Sequence, residues 1–147
     1  MEDKINISEL ICTRISHDLI GNIGAFANAV ELLEDEDDDF IDEIKNTLKT
    51  SSEVLTARLK FFRMAFGLTN ANLENIETVK KVTEDYLQTL NLNHPVKADI
   101  KIINSPFNRA VMLACMCAAE VIVRGGTVKV VITLVGTLGH LLIASLA

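Results

Sequence analysis

The chain has 147 residues, of which 49 % are hydrophobic and 23 % are charged, and its formal net charge is −6. This composition predicts a folded protein with one substantial core or two small ones, and it argues against a disordered chain. The acidic balance argues against non-specific binding to nucleic acid or to an anionic membrane, because both need concentrated positive charge.

The first predicted helix begins at Asn6, which has the capping-box spacing to Glu9, and runs to about Glu34. At about 100° per residue, its apolar residues fall on one face of the helix. An apolar stripe several turns long needs a packing partner. Its members are Ile15, Leu19, Ile23, Phe26, Val30 and Leu33.

His17 lies roughly opposite this apolar stripe, so we expect it to face solvent. Gly21, Gly24 and Asn28 follow it at spacings of four, seven and eleven and therefore share its face of the helix. A glycine inside a helix costs roughly 1 kcal/mol relative to alanine, and two on one stripe need a reason. We interpret them as a bare surface that lets another protein come close to His17. The alternative is an ordinary solvated histidine.

An acidic run at residues 34–39 separates the first two helices and lacks the ligand spacing of a calcium loop, so we interpret it as a solvated turn. The second helix carries apolar residues at alternating spacings of three and four and stops at Gly67. A hairpin cannot cover two such stripes alone, which predicts a homodimeric four-helix bundle. The alternative is that the second half of the chain covers the stripe. The residues predicted at the dimer interface are Ile44, Leu48, Leu55, Leu59 and Phe62.

The second helix also brings positive charge toward His17. If the turn centres near Asp37, an antiparallel hairpin places residues around 57 at the height of His17. A basic patch there suits a partner whose active site is a cluster of aspartates and a phosphate, and Ile20 is the apolar contact expected for that partner. The alternative is scattered surface charge. The basic residues of the predicted patch are Arg14, Arg58, Lys60 and Arg63.

After residues 69–72 the pattern changes to α/β. An amphipathic helix is predicted at 76–90 and a half-buried strand at 96–102. Ser105-Pro106 starts an apolar helix that ends at Arg124, and strands follow at about 127–134 and 140–146. The predicted fold class is therefore α+β, with a helical hairpin domain at 1–68 and an α/β domain at 69–147.

Residues 16–33, SHDLIGNIGAFANAVELL, resemble the phosphoacceptor helix of ChpT-type histidine phosphotransferases, a family known from alphaproteobacteria and related to the dimerisation domains of sensor histidine kinases. Residues 57–67 resemble the end of that family's second helix, and Arg124-Gly125-Gly126 resembles the turn that closes its central α/β helix. Kinase-like histidine boxes commonly carry a proline five residues after the histidine. Asn22 stands there in this chain, which predicts a straighter helix.

The resemblance implies that His17 relays a phosphoryl group between receiver-domain aspartates in a multistep phosphorelay. In that family the donor is a hybrid histidine kinase that controls the cell cycle, and the acceptors are response regulators. Asp18 is expected to orient the imidazole or keep it basic, with a solvated helix residue as the alternative. Magnesium would belong to the partner receiver, so no cofactor is expected in this chain. The alternative function is a noncatalytic dimeric scaffold that binds receivers without accepting phosphate.

The second half resembles the ATP-binding domain of a histidine kinase in the order of its elements but not in its chemistry. With the glycine turns aligned, the two asparagines usual in such kinases fall at Leu113 and Cys117, which cannot hold magnesium and phosphate. We therefore expect a shortened, degenerate ATPase-like domain without nucleotide-binding motifs. A phosphotransfer protein is favoured over an ATP-dependent kinase.

A cytoplasmic location is predicted because acidic residues open the chain, where a secretory signal would carry positive charge. The most apolar segment, 110–123, is shorter than the ~20 residues of a membrane span. His94 and His140 have no potential ligand nearby in the sequence, so no metal site is expected. The three cysteines, Cys12, Cys115 and Cys117, are interpreted as small buried hydrophobes in a reducing compartment.

Overall fold

The computed structural model describes residues 6–34, 40–68, 73–91, 93, 96–102, 107–122, 126–135 and 138–146; for residue 102 and for those beyond 130 only the backbone is described. Within these ranges lie four helices and three strands. They are α1 (Ile7–Glu34), α2 (Ile41–Phe66), α3 (Ile76–Gln88), β1 (Val96–Ile102), α4 (Asn108–Val121), β2 (Gly126–Val135) and β3 (Leu138–Leu146). The predicted α+β class is confirmed.

The chain divides into two compact units, Met1–Arg58 and Leu59–Ala147, so the division falls inside α2. The predicted domain boundary after residue 68 lies ten residues beyond this division, and it stays a prediction. Among the described helices, none combines the length with the hydrophobicity that a membrane crossing requires.

Helix α1 begins where the capping pattern predicts. The Asn6 side-chain oxygen accepts a hydrogen bond from the Ser8 N–H at 3.0 Å, and the Asn6 carbonyl accepts one from the Leu10 N–H at 3.1 Å. The bond to Ser8 satisfies an N–H group that the first turn of a helix leaves without an intrahelical partner, and the bond to Leu10 is the first of the regular helical bonds. The helix then continues unbroken for 28 residues to Glu34. The predicted acidic turn falls largely on 35–39, outside the described residues.

Helix α2 ends at the predicted glycine. The Gly67 N–H donates to the Arg63 carbonyl at 3.1 Å. A side chain at position 67 would collide with that same carbonyl oxygen, so the sequence needs glycine there. Acidic residues in the first turn of α2, Asp42 and Glu43, suit the positive end of the helix dipole.

Helices α1 and α2 form the predicted antiparallel hairpin. Arg58 of α2 donates to the main-chain carbonyl of Asp18 in the middle of α1, while Ala29 and Ile44 line one groove nearer the turn. The predicted height of the hairpin is therefore confirmed. Ile44 is buried within a single copy, which corrects its assignment to the dimer interface: it offers almost no surface to a second chain.

The second unit contains the last turns of α2 and builds its core on aromatic side chains. Phe61 is fully buried and stacks on Tyr86 with ring centroids 3.9 Å apart, and Phe62 meets both rings edge-on at 6.0 and 5.6 Å. Such pairs add about 0.5–1.5 kcal/mol to the gain from burial. The ring of Phe62 is thus covered by aromatic side chains of its own chain, and its assignment to the dimer interface is also corrected.

The sheet has the order β1-β2-β3, with β1 parallel to β2 and β2 antiparallel to β3. The alternation predicted for β1 is confirmed, since Val96 and Ile100 are buried while Lys97 and Lys101 are exposed. Helices α3 and α4 pack on the sheet. Arg109 of α4 donates to the Gly67 carbonyl at 2.8 Å, which ties α4 to the end of α2.

The predicted bounds of α3 and α4 are longer than the observed ones. Helix α3 starts as expected, with the Asn75 side chain accepting from the Thr78 N–H at 3.1 Å, but it ends at Gln88. Helix α4 starts at Asn108; the predicted start at Ser105-Pro106 and the predicted end at Arg124 lie outside the described residues.

The cysteines differ from one another in burial. Cys115 is buried in α4, and this burial raises the pKa of its thiol to about 12, so it behaves as a small hydrophobic residue. Cys12 and Cys117 are exposed. The expectation that all three cysteines are buried is wrong for these two.

Candidate phosphoacceptor site

His17 lies near the middle of α1, and 85 % of its side chain is exposed. This exposure agrees with the helical spacing, which places His17 opposite the apolar stripe. Gly21 and Gly24 leave open space beside it, because a Cβ built on either residue meets no atom within 4 Å. The imidazole therefore stands on a smooth stretch of helix that another protein can approach closely.

Asp18, by contrast, is buried, with only 8 % of its side chain exposed. Its Oδ2 accepts a hydrogen bond from Arg14 Nε at 2.9 Å, and its main-chain carbonyl accepts one from Arg58 of α2. Its Oδ1 lies 3.6 Å from His17 Nδ1. The alternative that Asp18 is a solvated helix residue is wrong.

This arrangement favours one of the two imidazole nitrogens as the nucleophile. A separation of 3.6 Å exceeds an ordinary hydrogen bond, but a carboxylate facing Nδ1 favours the tautomer with the proton on that nitrogen. A neutral imidazole has one N–H and one lone pair, so the lone pair then belongs to Nε2. An exposed Nε2 with a lone pair is a nucleophile within reach of a docked partner.

The structure places two members of the predicted basic patch, Arg14 and Arg58, at the same residue of α1. Arg14 pairs with the carboxylate of Asp18, which offsets part of its charge, and Arg58 donates to the main-chain carbonyl of the same residue. Lys60 and Arg63 are exposed and belong to the second compact unit, and their part in a basic patch stays a prediction. The spacing of four between Arg14 and Asp18 is a sequence signal from which this ion pair could have been predicted, but was not.

The remaining predicted docking residues lie on the surface. Ile20 is well exposed one turn from His17, and Asn28 is exposed farther along α1. Asn22, which replaces the usual proline, is only half-exposed, and its Nδ2 is buried without a hydrogen-bond partner among the described groups. The uninterrupted course of α1 agrees with the absence of proline.

The hairpin also presents an apolar surface. An open groove of about 570 Å³ lies between α1 and α2, on the side toward the turn. On α1, Ile23, Phe26 and Val30 of the apolar stripe are also exposed. Of the other predicted interface residues, Leu48 and Leu55 are half-buried and Leu59 is exposed. The groove is lined by Ala25, Asn28, Ala29, Leu32, Phe40, Glu43, Ile44 and Thr47.

The remaining candidate sites concern metal binding and nucleotide binding. Across the described ranges, no cluster of three or more histidine, cysteine or acidic side chains is arranged to hold a metal ion. Leu113 is half-buried and Cys117 is exposed on α4, and neither can ligate magnesium and phosphate in the manner of a kinase asparagine. The side chains of His94 and His140 lie outside the described residues.

Comparison with known proteins finds similarity at the level of the sequence. Residues 76–145 match the family described as histidine phosphotransferase C-terminal domain. Over 86 residues the chain is 34 % identical to protein phosphotransferase ChpT of Brucella abortus (strain 2308), a match that covers 57 % of this chain and 40 % of that protein. The matched part of the chain thus spans less than half the length of this curated relative.

A solved structure described as the 1.7 Angstrom structure of a bacterial phosphotransferase superposes on the chain with a TM-score of 0.71. The superposition covers 97 % of this chain and 68 % of that one, at 24 % identity, and supports the α+β fold. The resemblance to ChpT-type histidine phosphotransferases predicted from the sequence is confirmed by these comparisons. The family match falls on α3 to β3 and does not include the helix that carries His17.

Proposed function

We propose that this chain acts as a histidine phosphotransferase of the ChpT type, which relays a phosphoryl group through His17 between receiver-domain aspartates in a phosphorelay. The observation that carries the proposal is the exposed imidazole of His17 held beside the buried carboxylate of Asp18. The family match and the name of the relative support the same function.

The chemistry is a pair of reversible displacements. In the first, the lone pair of His17 Nε2 attacks the phosphorus of a receiver's aspartyl phosphate. An N–P bond forms as the O–P bond breaks, and the aspartate leaves as a carboxylate with the electron pair. In the second, a carboxylate oxygen of another receiver attacks the same phosphorus, and the electrons of the N–P bond return to Nε2.

Neither displacement gains or loses a proton, because the proton on Nδ1 stays there throughout. The ring is positively charged while Nε2 carries the phosphoryl group, and the carboxylate of Asp18 offsets that charge from 3.6 Å away. Since the transition state of phosphoryl transfer is loose and highly charged, positioning and electrostatics supply most of the catalysis. A site with one reacting residue is therefore sufficient.

The partner completes the site. A receiver would dock on the face that carries His17, Ile20, Gly21 and Gly24, with Asn28 at its edge, and its acidic pocket would hold the magnesium ion that neutralises phosphate charge. The donor would be the receiver of a hybrid histidine kinase, and the acceptors would be response regulators. Incubation with a panel of phosphorylated receivers tests this function: at least one should label the chain, and labelling by none would reject it.

We propose that a second copy of the chain packs against the apolar surface of the hairpin. The exposed apolar residues of the α1 stripe and the groove between α1 and α2 are features of the kind that mark protein interfaces. Two hairpins that bury these surfaces against each other make a four-helix bundle. The proposed architecture is a homodimer through the 1–68 hairpin, followed by a degenerate ATPase-like domain.

Phe26→Glu should convert the dimer into a monomer. Phe26 is partly exposed in a single copy, so the charge costs little there, but in the dimer it would be buried without a partner at a cost of several kcal/mol. Light scattering on a dilution series measures the change, with Thr50→Glu, at an exposed position of α2, as the control. An unmodified chain that is monomeric at every concentration would reject the dimer.

The α/β half should not bind ATP. Without polar side chains at Leu113 and Cys117, a nucleotide loses the groups that hold its metal and phosphates in histidine kinases. Titration calorimetry with ATP and magnesium should show no heat of binding beyond dilution. Micromolar, magnesium-dependent binding would contradict the degenerate-domain assignment and restore the kinase interpretation.

A further inference from the structure

We propose that Arg14 and Arg58 are positioning residues, which fix Asp18 so that its carboxylate keeps the proton of His17 on Nδ1 and leaves Nε2 free to accept phosphate. The inference rests on the proposed function for its biological meaning, but the geometry it invokes is independent of any partner. Under this proposal both arginines act within the protein, whereas the sequence pattern predicted that their charges contact the partner.

Arg58 anchors the backbone of the turn of α1 that carries His17 and Asp18. Its Nη1 donates to the main-chain carbonyl of Asp18, a residue forty positions earlier in the chain. In an α-helix that carbonyl already accepts from the N–H four residues later, here that of Asn22, and a carbonyl oxygen has a second lone pair for Arg58. The bond holds the peptide unit next to His17 at a set distance from α2.

Arg14 anchors the side chain of Asp18. Its Nε lies 2.9 Å from Asp18 Oδ2, and the carboxylate is buried. The exposed pair of Lys45 and Asp42 on α2 is a useful contrast, since its atoms are 3.8 Å apart and Asp42 is almost fully exposed. Exposed pairs contribute little and hold no fixed geometry, whereas a buried carboxylate needs its partner.

Together the two arginines leave Asp18 Oδ1 on the side of His17. One carboxylate oxygen is taken by Arg14, and the other lies 3.6 Å from His17 Nδ1. Which nitrogen of a histidine carries the proton is set by the group that the other nitrogen faces. If Asp18 turned away, the two tautomers would mix, and part of the population would carry its proton on Nε2, where it blocks attack on phosphorus.

The tautomer of His17 tests the proposal without any receiver. Long-range proton–nitrogen correlation spectra of the full chain, at a pH where the imidazoles are neutral, distinguish protonated from unprotonated ring nitrogens, and the His17→Gln spectrum identifies the His17 signals. The unmodified protein should show a proton on Nδ1. Arg14→Met and Arg58→Met should move both nitrogens toward averaged shifts, while Arg58→Lys should retain the unmodified pattern.

Lys49→Met, which removes an exposed charge from the same helix as Arg58, should leave the tautomer unchanged. Circular dichroism establishes that each variant is folded, and Arg14→Met keeps the test open if Arg58→Met does not fold. An unmodified protein with its proton on Nε2, or an unchanged tautomer in both folded methionine variants, would overturn the proposal.

Transfer from a phosphorylated receiver supplies the second readout. Both methionine variants should accept phosphate about tenfold to a hundredfold more slowly, the loss typical of a misplaced reacting group. If the variants bind the receiver more weakly but the tautomer of His17 is unchanged, the arginines contact the receiver and do not position Asp18. This result would overturn the proposal. If no receiver labels the unmodified chain but the tautomer shifts as stated, the positioning role stands and the phosphotransfer function fails.

Discussion

Replacing His17 with alanine should abolish labelling of this chain by a phosphorylated receiver domain while leaving the fold intact. The imidazole supplies the nucleophile, and no neighbouring side chain described beside it offers another one. Because 85 % of the side chain is exposed, its removal should change the free energy of unfolding by no more than about 0.5 kcal/mol. Acid-labile phosphate on the protein measures the transfer, and thermal unfolding followed by circular dichroism measures the fold.

The two other histidines provide the matched controls. His94→Ala and His140→Ala should each be labelled like the unmodified protein, since the sequence gives neither residue an acidic neighbour comparable to Asp18. Acid-labile phosphate that persists on His17→Ala would contradict the assignment of the phosphoacceptor. Loss of labelling in His94→Ala with His17 intact would contradict it as well.

Gly21→Leu should block phosphoryl transfer while raising the stability of the protein. A Cβ at this position meets nothing within 4 Å, so leucine fits the isolated chain, and a helical leucine is favoured over glycine by somewhat less than ~1 kcal/mol. The same side chain would project beside His17, one turn along the helix, and hold a receiver away. A displacement of about 1 Å at the reacting atoms is enough to slow transfer about a hundredfold.

Two variants separate bulk from other effects of the Gly21 substitution. Gly21→Ala should gain similar stability but retain most of the transfer, because a methyl group adds little height to the surface. Asn46→Leu places the same bulk on an exposed position of α2 and should transfer normally. Unchanged transfer by Gly21→Leu would mean that receivers do not dock on this face.

The hairpin was largely predictable because its signals are local. Asn6 and the glycine at position 67 mark helix ends through hydrogen bonds that join residues no more than four positions apart, so they depend on neighbouring residues alone. The height of Arg58 opposite Asp18 followed from the helix rise and the position of the turn. The exposure of His17 followed from helical periodicity.

The contacts of individual side chains were less predictable, because they depend on residues that are distant in the sequence. Phe62 continues the apolar pattern of α2, yet Tyr86 of α3 covers it within the same chain. Arg58 is positively charged in either case, so the sequence does not tell whether it contacts a partner protein or, as the structure shows, the carbonyl of Asp18. Periodicity identifies the face of a helix, but only the packed structure identifies what that face meets.

The most direct test of the central claim is to locate the phosphoryl group on the chain itself. After incubation with a phosphorylated receiver that labels the protein, phosphorus–proton correlation spectra and peptide mass spectrometry should find the phosphoryl group on Nε2 of His17, and addition of a second receiver should remove it. A phosphoryl group on Nδ1 or on another residue, or one that no second receiver removes, would contradict relay through His17.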